Sequence, residues 1–158
     1  MSRVAFRTDE FKDVKKEFRG RIVGAEYNEA PFGIKGAPEI EERMKARGIT
    51  KKVGIMISAE EYEKPQYEWF VPTYKTGTRW YHFIKALEET GAMRDIEITG
   101  ETDEERLESF CKSLVGMEFQ WEEHRIVSIG GRETDVLIPV IYYGKSEVGE
   151  EVKEVKIG

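Results

Sequence analysis

The sequence predicts a mainly β protein with helices (α+β), built as a five-stranded antiparallel barrel with a helix between strands three and four. Three strand-like runs precede an amphipathic helix and two follow it. The runs cover 21–27, 52–59, 67–71, 117–122 and 136–143. Several of them alternate apolar and polar residues, which is the pattern of half-buried antiparallel strands.

Strand two, at 52–59, shows this alternation most clearly, and we expect Val53, Ile55 and Ile57 to face a core. Strand four alternates in the same way over 117–122. Strand five is apolar on both faces, which predicts that both faces are covered. Pro139 lies inside this strand and indicates an edge position or a bulge, because proline donates no ladder hydrogen bond.

Four helices are predicted, three from apolar residues at helical spacing and the one at 39–47 from opposite charges four residues apart. They are an N-terminal helix at 9–19, one at 39–47 in the connection between strands one and two, one at 79–90 and one at 103–115. Thr78 is the expected cap of the third helix. Thr102 and Glu105 have the spacing of a capping box at the start of the fourth.

The chain of 158 residues is predicted to form one domain, 1–144, that includes the N-terminal helix. Residues 145–158 are predicted to be a charged C-terminal tail. Val148, Val152 and Val155 in the tail could pair as a strand with a neighbouring subunit, but a free arm is the favoured expectation, because chain termini are usually loose unless tied down.

Charged residues make up 35% of the chain, while only one asparagine, two glutamines and one cysteine occur. Such a composition is typical of proteins from hot environments. The single Cys111 excludes an internal disulfide and favours a reducing compartment. Because no apolar run approaches the length of a membrane span and the N-terminus lacks an apolar signal core, we expect a cytoplasmic protein without membrane association.

The net charge of −6 is distributed unevenly. Residues 1–85 hold 17 Lys/Arg and 13 Asp/Glu, a balance of +4, whereas residues 86–158 hold 8 and 18, a balance of −10. This asymmetry indicates a basic binding surface combined with an acidic C-terminal half. Ordinary surface charge is the open alternative.

Enzyme motifs are missing from the sequence. It contains no HExxH, CxxC or GxSxG pattern and no glycine-rich phosphate loop. His82 and His124 are the only histidines, and Cys111 falls on the apolar stripe of a predicted helix, where an inert thiol is expected. We therefore expect a protein that is not an enzyme and uses neither cofactor nor metal. A small enzyme of unknown class remains the third hypothesis.

Cations and aromatic residues cluster near the predicted strand 2–3 face and its loops. Glu68 shares a face of strand three with Phe70, and its charge predicts that this face is wet. The small residues of strand two would then leave room for a nucleic-acid base to stack on Phe70. The open alternative is that Phe70 packs under a loop or a helix. The candidate nucleic-acid-binding residues are Phe70, Tyr74, Lys75, Arg79, Lys51, Lys52, Arg125 and Arg132.

The strand order is that of the OB barrel, which holds oligonucleotides and oligosaccharides. The chain also resembles OB-fold single-stranded DNA-binding proteins of phages and archaeal viruses over roughly residues 20–144. The similar segments are GRIVGAEYN, KVGIMIS, YEWFVP, TRWYHFIKALEETG, LVGMEFQW and VLIPVIYYG. The resemblance implies a viral DNA-binding protein, located in the host cytoplasm, with an acidic tail that recruits partners. The tail here departs from that pattern, because Lys145, Lys153 and Lys156 are mixed with its glutamates.

The leading hypothesis is a nonenzymatic protein that binds single-stranded DNA, with RNA as a ligand left open. The alternative is a viral or filament assembly subunit, a homo-oligomer whose subunits add strands to one another. A basic-aromatic groove would favour nucleic acid, and an apolar patch would favour assembly.

Overall fold

Five antiparallel strands of the computed structural model form a single sheet. They are β1 (Val14–Asn28), β2 (Lys52–Ser58), β3 (Gln66–Phe70), β4 (Met117–Val127) and β5 (Glu133–Lys145). Their order across the sheet is β3-β2-β1-β4-β5. The structure describes residues 14–34, 37–73, 75–127, 131 and 133–146.

Helices lie in two of the connections. They are α1 (Pro38–Ala46) between β1 and β2, and α2 (Arg79–Glu89) and α3 (Asp103–Leu114) between β3 and β4. The Thr78 hydroxyl accepts a hydrogen bond from the Tyr81 amide, and Thr102 and Glu105 form the predicted capping box. These contacts satisfy amides that have no partner in the first helical turn. All three of these predicted helices are confirmed.

The α+β class and the antiparallel pairing are confirmed, but the sheet is open. β3 and β5 form its two edges, and no strand ladder joins them within the described residues. Side chains bridge the edges instead, because the Glu68 carboxylate on β3 accepts a hydrogen bond from the Leu137 amide on β5 at 3.0 Å. The expected barrel is therefore not closed by strand pairing, and the Glu68–Leu137 hydrogen bond joins the two edges in its place.

The predicted N-terminal helix at 9–19 is wrong for residues 14–19, which belong to β1. Phe18 satisfies both a helical pattern and an alternating one, and the alternation continues inward through Gly20 and Ile22. Pairing with β4 decides the outcome, because Phe18 lies opposite Trp121 and the Trp121 indole donates to the Gly20 carbonyl at 3.0 Å. Residues 9–13 lie outside the described part of the chain.

The core lies between the inner sheet face and helices α2 and α3. Val53, Ile55 and Ile57 are fully buried, as the alternation of β2 predicts. β5 is buried from Val136 to Val140, so the expectation that both of its faces are covered is confirmed for these residues and not for Tyr143, which is exposed. The register of β4 with β5 shifts beside Trp121, which lies opposite Pro139, and this irregularity at an edge strand matches the prediction from that proline.

The described residues end at Ser146 and so include only the first two residues of the predicted tail. The expected free arm falls mostly on residues outside them. Within the described chain, no helix has the length and apolar character needed to span a membrane.

Candidate nucleic-acid interface

A groove with a volume of about 620 Å³ lies between α1, β3, the segment after β3 and the start of β5. We call it the basic groove. Its lining residues are Ile40, Arg43, Met44, Arg47, Ile49, Trp69, Val71, Thr73, Lys75, Thr78, Arg79, Trp80 and Thr134. It therefore joins elements that are far apart in the sequence.

Among the described residues, the basic groove is lined by four cations, Arg43, Arg47, Lys75 and Arg79, and by no carboxylate. Arg43 and Arg47 are four residues apart on and just after α1, so they lie on the same side of the helix. Together with Lys75 they are exposed, and these three form no ion pair with any residue that the structure describes. In a chain of net charge −6, this is a local excess of available positive charge.

Two indole rings form the aromatic part of the basic groove. Trp69 lies on β3, and the Arg79 guanidinium is 5.2 Å from its ring centroid. Trp80 lies in the first turn of α2 and packs edge-on against Phe110, with 5.6 Å between the ring centroids. Both indoles are partly exposed, so each keeps some ring surface available for contact with a ligand.

Arg79 mainly holds the walls of the basic groove together, because most of its guanidinium donors bind protein groups and not a ligand. Its guanidinium donates to the Trp69 carbonyl at 2.7 Å and to the Asp135 carbonyl at 3.1 Å, and it pairs with the Glu68 carboxylate. Arg79 thereby connects the start of α2 to both edges of the sheet. Arg79, which the sequence predicts as a nucleic-acid-binding residue, lines the basic groove, but most of its donors are already used.

The prediction that Phe70 lies on a wet face is wrong, because its side chain is 0% exposed. Its ring stacks on Phe83 with 4.5 Å between the centroids. The face is dry although it carries Glu68, since Arg79 and the Leu137 amide satisfy that carboxylate. Phe70 therefore offers no surface to a base.

The expected space on the outer face of β2 is also absent. A Cβ atom at Gly54 would lie 2.3 Å from Cβ of Pro31, so the short 3-10 turn Pro31–Gly33 covers this position. The Phe32 amide in the turn donates to Glu26 at 2.9 Å, which keeps the turn on the sheet. The space beside Gly54 on β2 is therefore filled by the Pro31–Gly33 turn and is not open to a ligand.

Lys52 is a fully buried structural residue and not the surface cation that the sequence predicted. Its ammonium donates to the Glu29 carbonyl at 2.7 Å and to Glu41 Oε1 at 2.9 Å. Glu41 belongs to α1, whose only buried residue is Met44. The Lys52–Glu41 pair is therefore a main attachment of the helix that carries Arg43 to the groove.

Removing the two partners of this pair should have unequal effects. Glu41→Ala leaves the buried Lys52 ammonium without its counterion and should lower the free energy of unfolding by about 2 kcal/mol. Lys52→Met should cost under about 1 kcal/mol, because the Glu41 side chain is 34% exposed and can be hydrated. Urea unfolding of both variants measures the difference. Equal costs would contradict the asymmetric burial.

The remaining candidates lie around the basic groove or outside the described chain. Lys51 pairs with Glu104 at 2.7 Å, and this hydrogen bond raises the pKa of Lys51. Arg125 pairs with Asp135 at 3.1 Å and lowers the pKa of that carboxyl group. Because the Asp135 carbonyl also contacts Arg79, Arg125 is near the β5 end of the groove. Tyr74 and Arg132 lie outside the described residues.

Sequence reasoning missed Arg43, Arg47, Trp69 and Trp80 as lining residues of one groove. The i,i+4 spacing of the two arginines was a usable signal for a shared helix face. Burial of Cys111 raises the pKa of its thiol to about 12, so it is a poor nucleophile. In the described residues no three metal-ligating side chains come together.

Comparisons of the chain with protein-family models, with curated proteins and with solved structures found no match in any of the three. The functional proposal below therefore depends on the geometry and charge of the basic groove.

Proposed function

We propose that this protein binds single-stranded nucleic acid, with single-stranded DNA as the preferred ligand, in the basic groove and without catalysis. The observation that carries the proposal is the lining of that groove. In the part of the chain that the structure describes, this lining combines four cations and two tryptophans with no carboxylate, in a protein whose net charge is −6.

The chemistry of the groove matches the two parts of a single strand. Phosphates are attracted by Arg43, Arg47 and Lys75, which have no described ion pair to break first. Bases have flat aromatic faces that stack on the exposed parts of Trp69 and Trp80. A base in a duplex is already stacked and paired, so it reaches an indole only at the cost of opening the duplex. The arrangement therefore favours single strands.

Charge reversal on and beside α1 tests the position of the ligand. Arg43→Glu and Arg47→Glu should each weaken binding and reduce the magnitude of the log–log salt slope by about 0.7, because one phosphate contact is lost. Lys45→Glu is the matched control, since Lys45 is an exposed cation of the same helix outside the groove lining. It should change the slope little. Fluorescence anisotropy with a labelled oligonucleotide measures all three variants.

Equal loss of affinity and slope in Lys45→Glu and Arg47→Glu would contradict the proposal. Such a result would mean that net charge alone governs binding and that the groove has no special role.

The assembly hypothesis has weaker support. The exposed large apolar residues of the described chain are spread over four strands and one loop: Val14, Tyr67, Ile98, Val127 and Tyr143. Subunit interfaces of stable oligomers need a contiguous apolar surface. The edges β3 and β5, which could add a strand, are instead bridged to each other by Glu68 and Arg79.

A further inference from the structure

A second groove, with a volume of about 910 Å³, lies beside the basic groove between the start of β2, α2 and α3. We call it the aromatic groove. Ile49, Thr73, Lys75 and Trp80 line both grooves, so the two cavities are neighbours that share the Trp80 side chain as a wall.

The charge of the aromatic groove differs from that of its neighbour. Its described lining residues include four cations and also three carboxylates, those of Glu88, Asp103 and Glu104. Glu104 pairs with Lys51 at 2.7 Å, and Asp103 pairs with Arg106 at 3.6 Å. The carboxylates therefore neutralise part of the positive charge and repel phosphate. This groove is a poor site for the charged backbone of a strand.

The walls of the aromatic groove suit a flat and uncharged group. Four aromatic residues contribute to them: Tyr27, Trp80, Tyr81 and Phe110. Ile84 and Leu107 add partly buried aliphatic surface from α2 and α3. A nucleobase has the matching shape, since it is planar and stacks on aromatic rings in a way that tolerates any sequence.

We infer that the aromatic groove takes bases of the same single strand whose phosphates lie in the basic groove, with Trp80 as the wall that both parts share. The inference rests on the proposed function of the basic groove. It divides the ligand site into an electrostatic part and a stacking part. The two parts should respond differently to salt and to the length of the oligonucleotide.

A length series of labelled oligothymidylates, titrated at several salt concentrations, tests the inference on the unmodified protein. The shortest oligomers should fill only the basic groove and show a salt-dependent affinity. Further nucleotides that enter the aromatic groove should tighten binding by about 5- to 150-fold per stacked base, with little increase in the salt slope. Conversely, a slope that steepens by about 0.7 for each added nucleotide would overturn the inference.

Tyr81→Ala provides a second test, because Tyr81 lines the aromatic groove and not the basic groove. It should reduce the increase of affinity with oligonucleotide length by at least fivefold. The affinity for the shortest oligomer that binds should stay unchanged. Tyr143→Ala is the control, since Tyr143 is an exposed tyrosine, 41% accessible, on β5 outside both grooves. If Tyr81→Ala keeps the full gain, the inference is wrong while the proposed function stands. If none of the oligomers binds at low salt, whatever its length, the proposed function itself is wrong.

Discussion

Phe70→Ala is expected to lower the free energy of unfolding by roughly 3–5 kcal/mol, the usual cost of deleting a buried phenyl ring. The side chain is 0% exposed, stacks on Phe83 and lies 6.0 Å, between ring centroids, from Trp80. Truncation leaves a cavity where β3 meets α2. Urea unfolding monitored by circular dichroism measures the loss.

Tyr67→Ala is the matched control for this variant, because Tyr67 is an aromatic residue of the same strand with 45% exposure. It should cost about 1 kcal/mol or less, since nearly half of its side chain remains in water in the folded protein. If Phe70→Ala kept full stability but lost affinity for oligonucleotides, its ring would be a binding surface and the described packing would be wrong.

Glu68→Ala is expected to cost roughly 3–5 kcal/mol, the range for removing one partner of a buried ion pair. The Glu68 carboxylate is the counterion of Arg79 and also accepts the Leu137 amide at 3.0 Å. The variant leaves a partly buried guanidinium and a buried N–H group without this partner. It also removes the direct link between the two edges of the sheet.

Glu118→Ala is a suitable comparison, because Glu118 is also a strand carboxylate paired with an arginine. Its pair with Arg19, at 2.9 Å, is more exposed, with side-chain exposures of 56% for Arg19 and 26% for Glu118. Loss of such a pair should cost at most about 1 kcal/mol. Thermal unfolding of both variants compares the two costs. Similar melting temperatures would contradict the structural importance of the Glu68 bridge.

Much of the fold was predictable from the sequence, because local patterns determine most of its elements. The alternation of Val53, Ile55 and Ile57 matches the burial of β2, and the caps at Thr78 and Thr102 mark the helix starts. The helix predicted around Phe18 was wrong because the apolar spacing there fits both a helix and a strand. Only pairing with Trp121, about a hundred residues later, makes it a strand.

The candidate site was less predictable, because charge was taken as a sign of exposure. Glu68 is buried by a partner eleven positions later, Arg79, and by a backbone amide on β5. Lys52 is buried by Glu41 on a helix whose docking no local pattern reveals. Once Glu68 faces inward, its neighbours Tyr67 and Trp69 must face outward, which is why the accessible aromatic residues of β3 differ from the predicted Phe70.

The most direct test of binding in the basic groove is a salt series of anisotropy titrations with labelled single-stranded and double-stranded DNA of the same length. We expect tighter binding of the single strand. A plot of the logarithm of its binding constant against the logarithm of the salt concentration should have a slope of about −2 or steeper, because Arg43, Arg47 and Lys75 neutralise three phosphates. A flat salt response, no binding at low salt, or equal affinity for the duplex would contradict the proposed function.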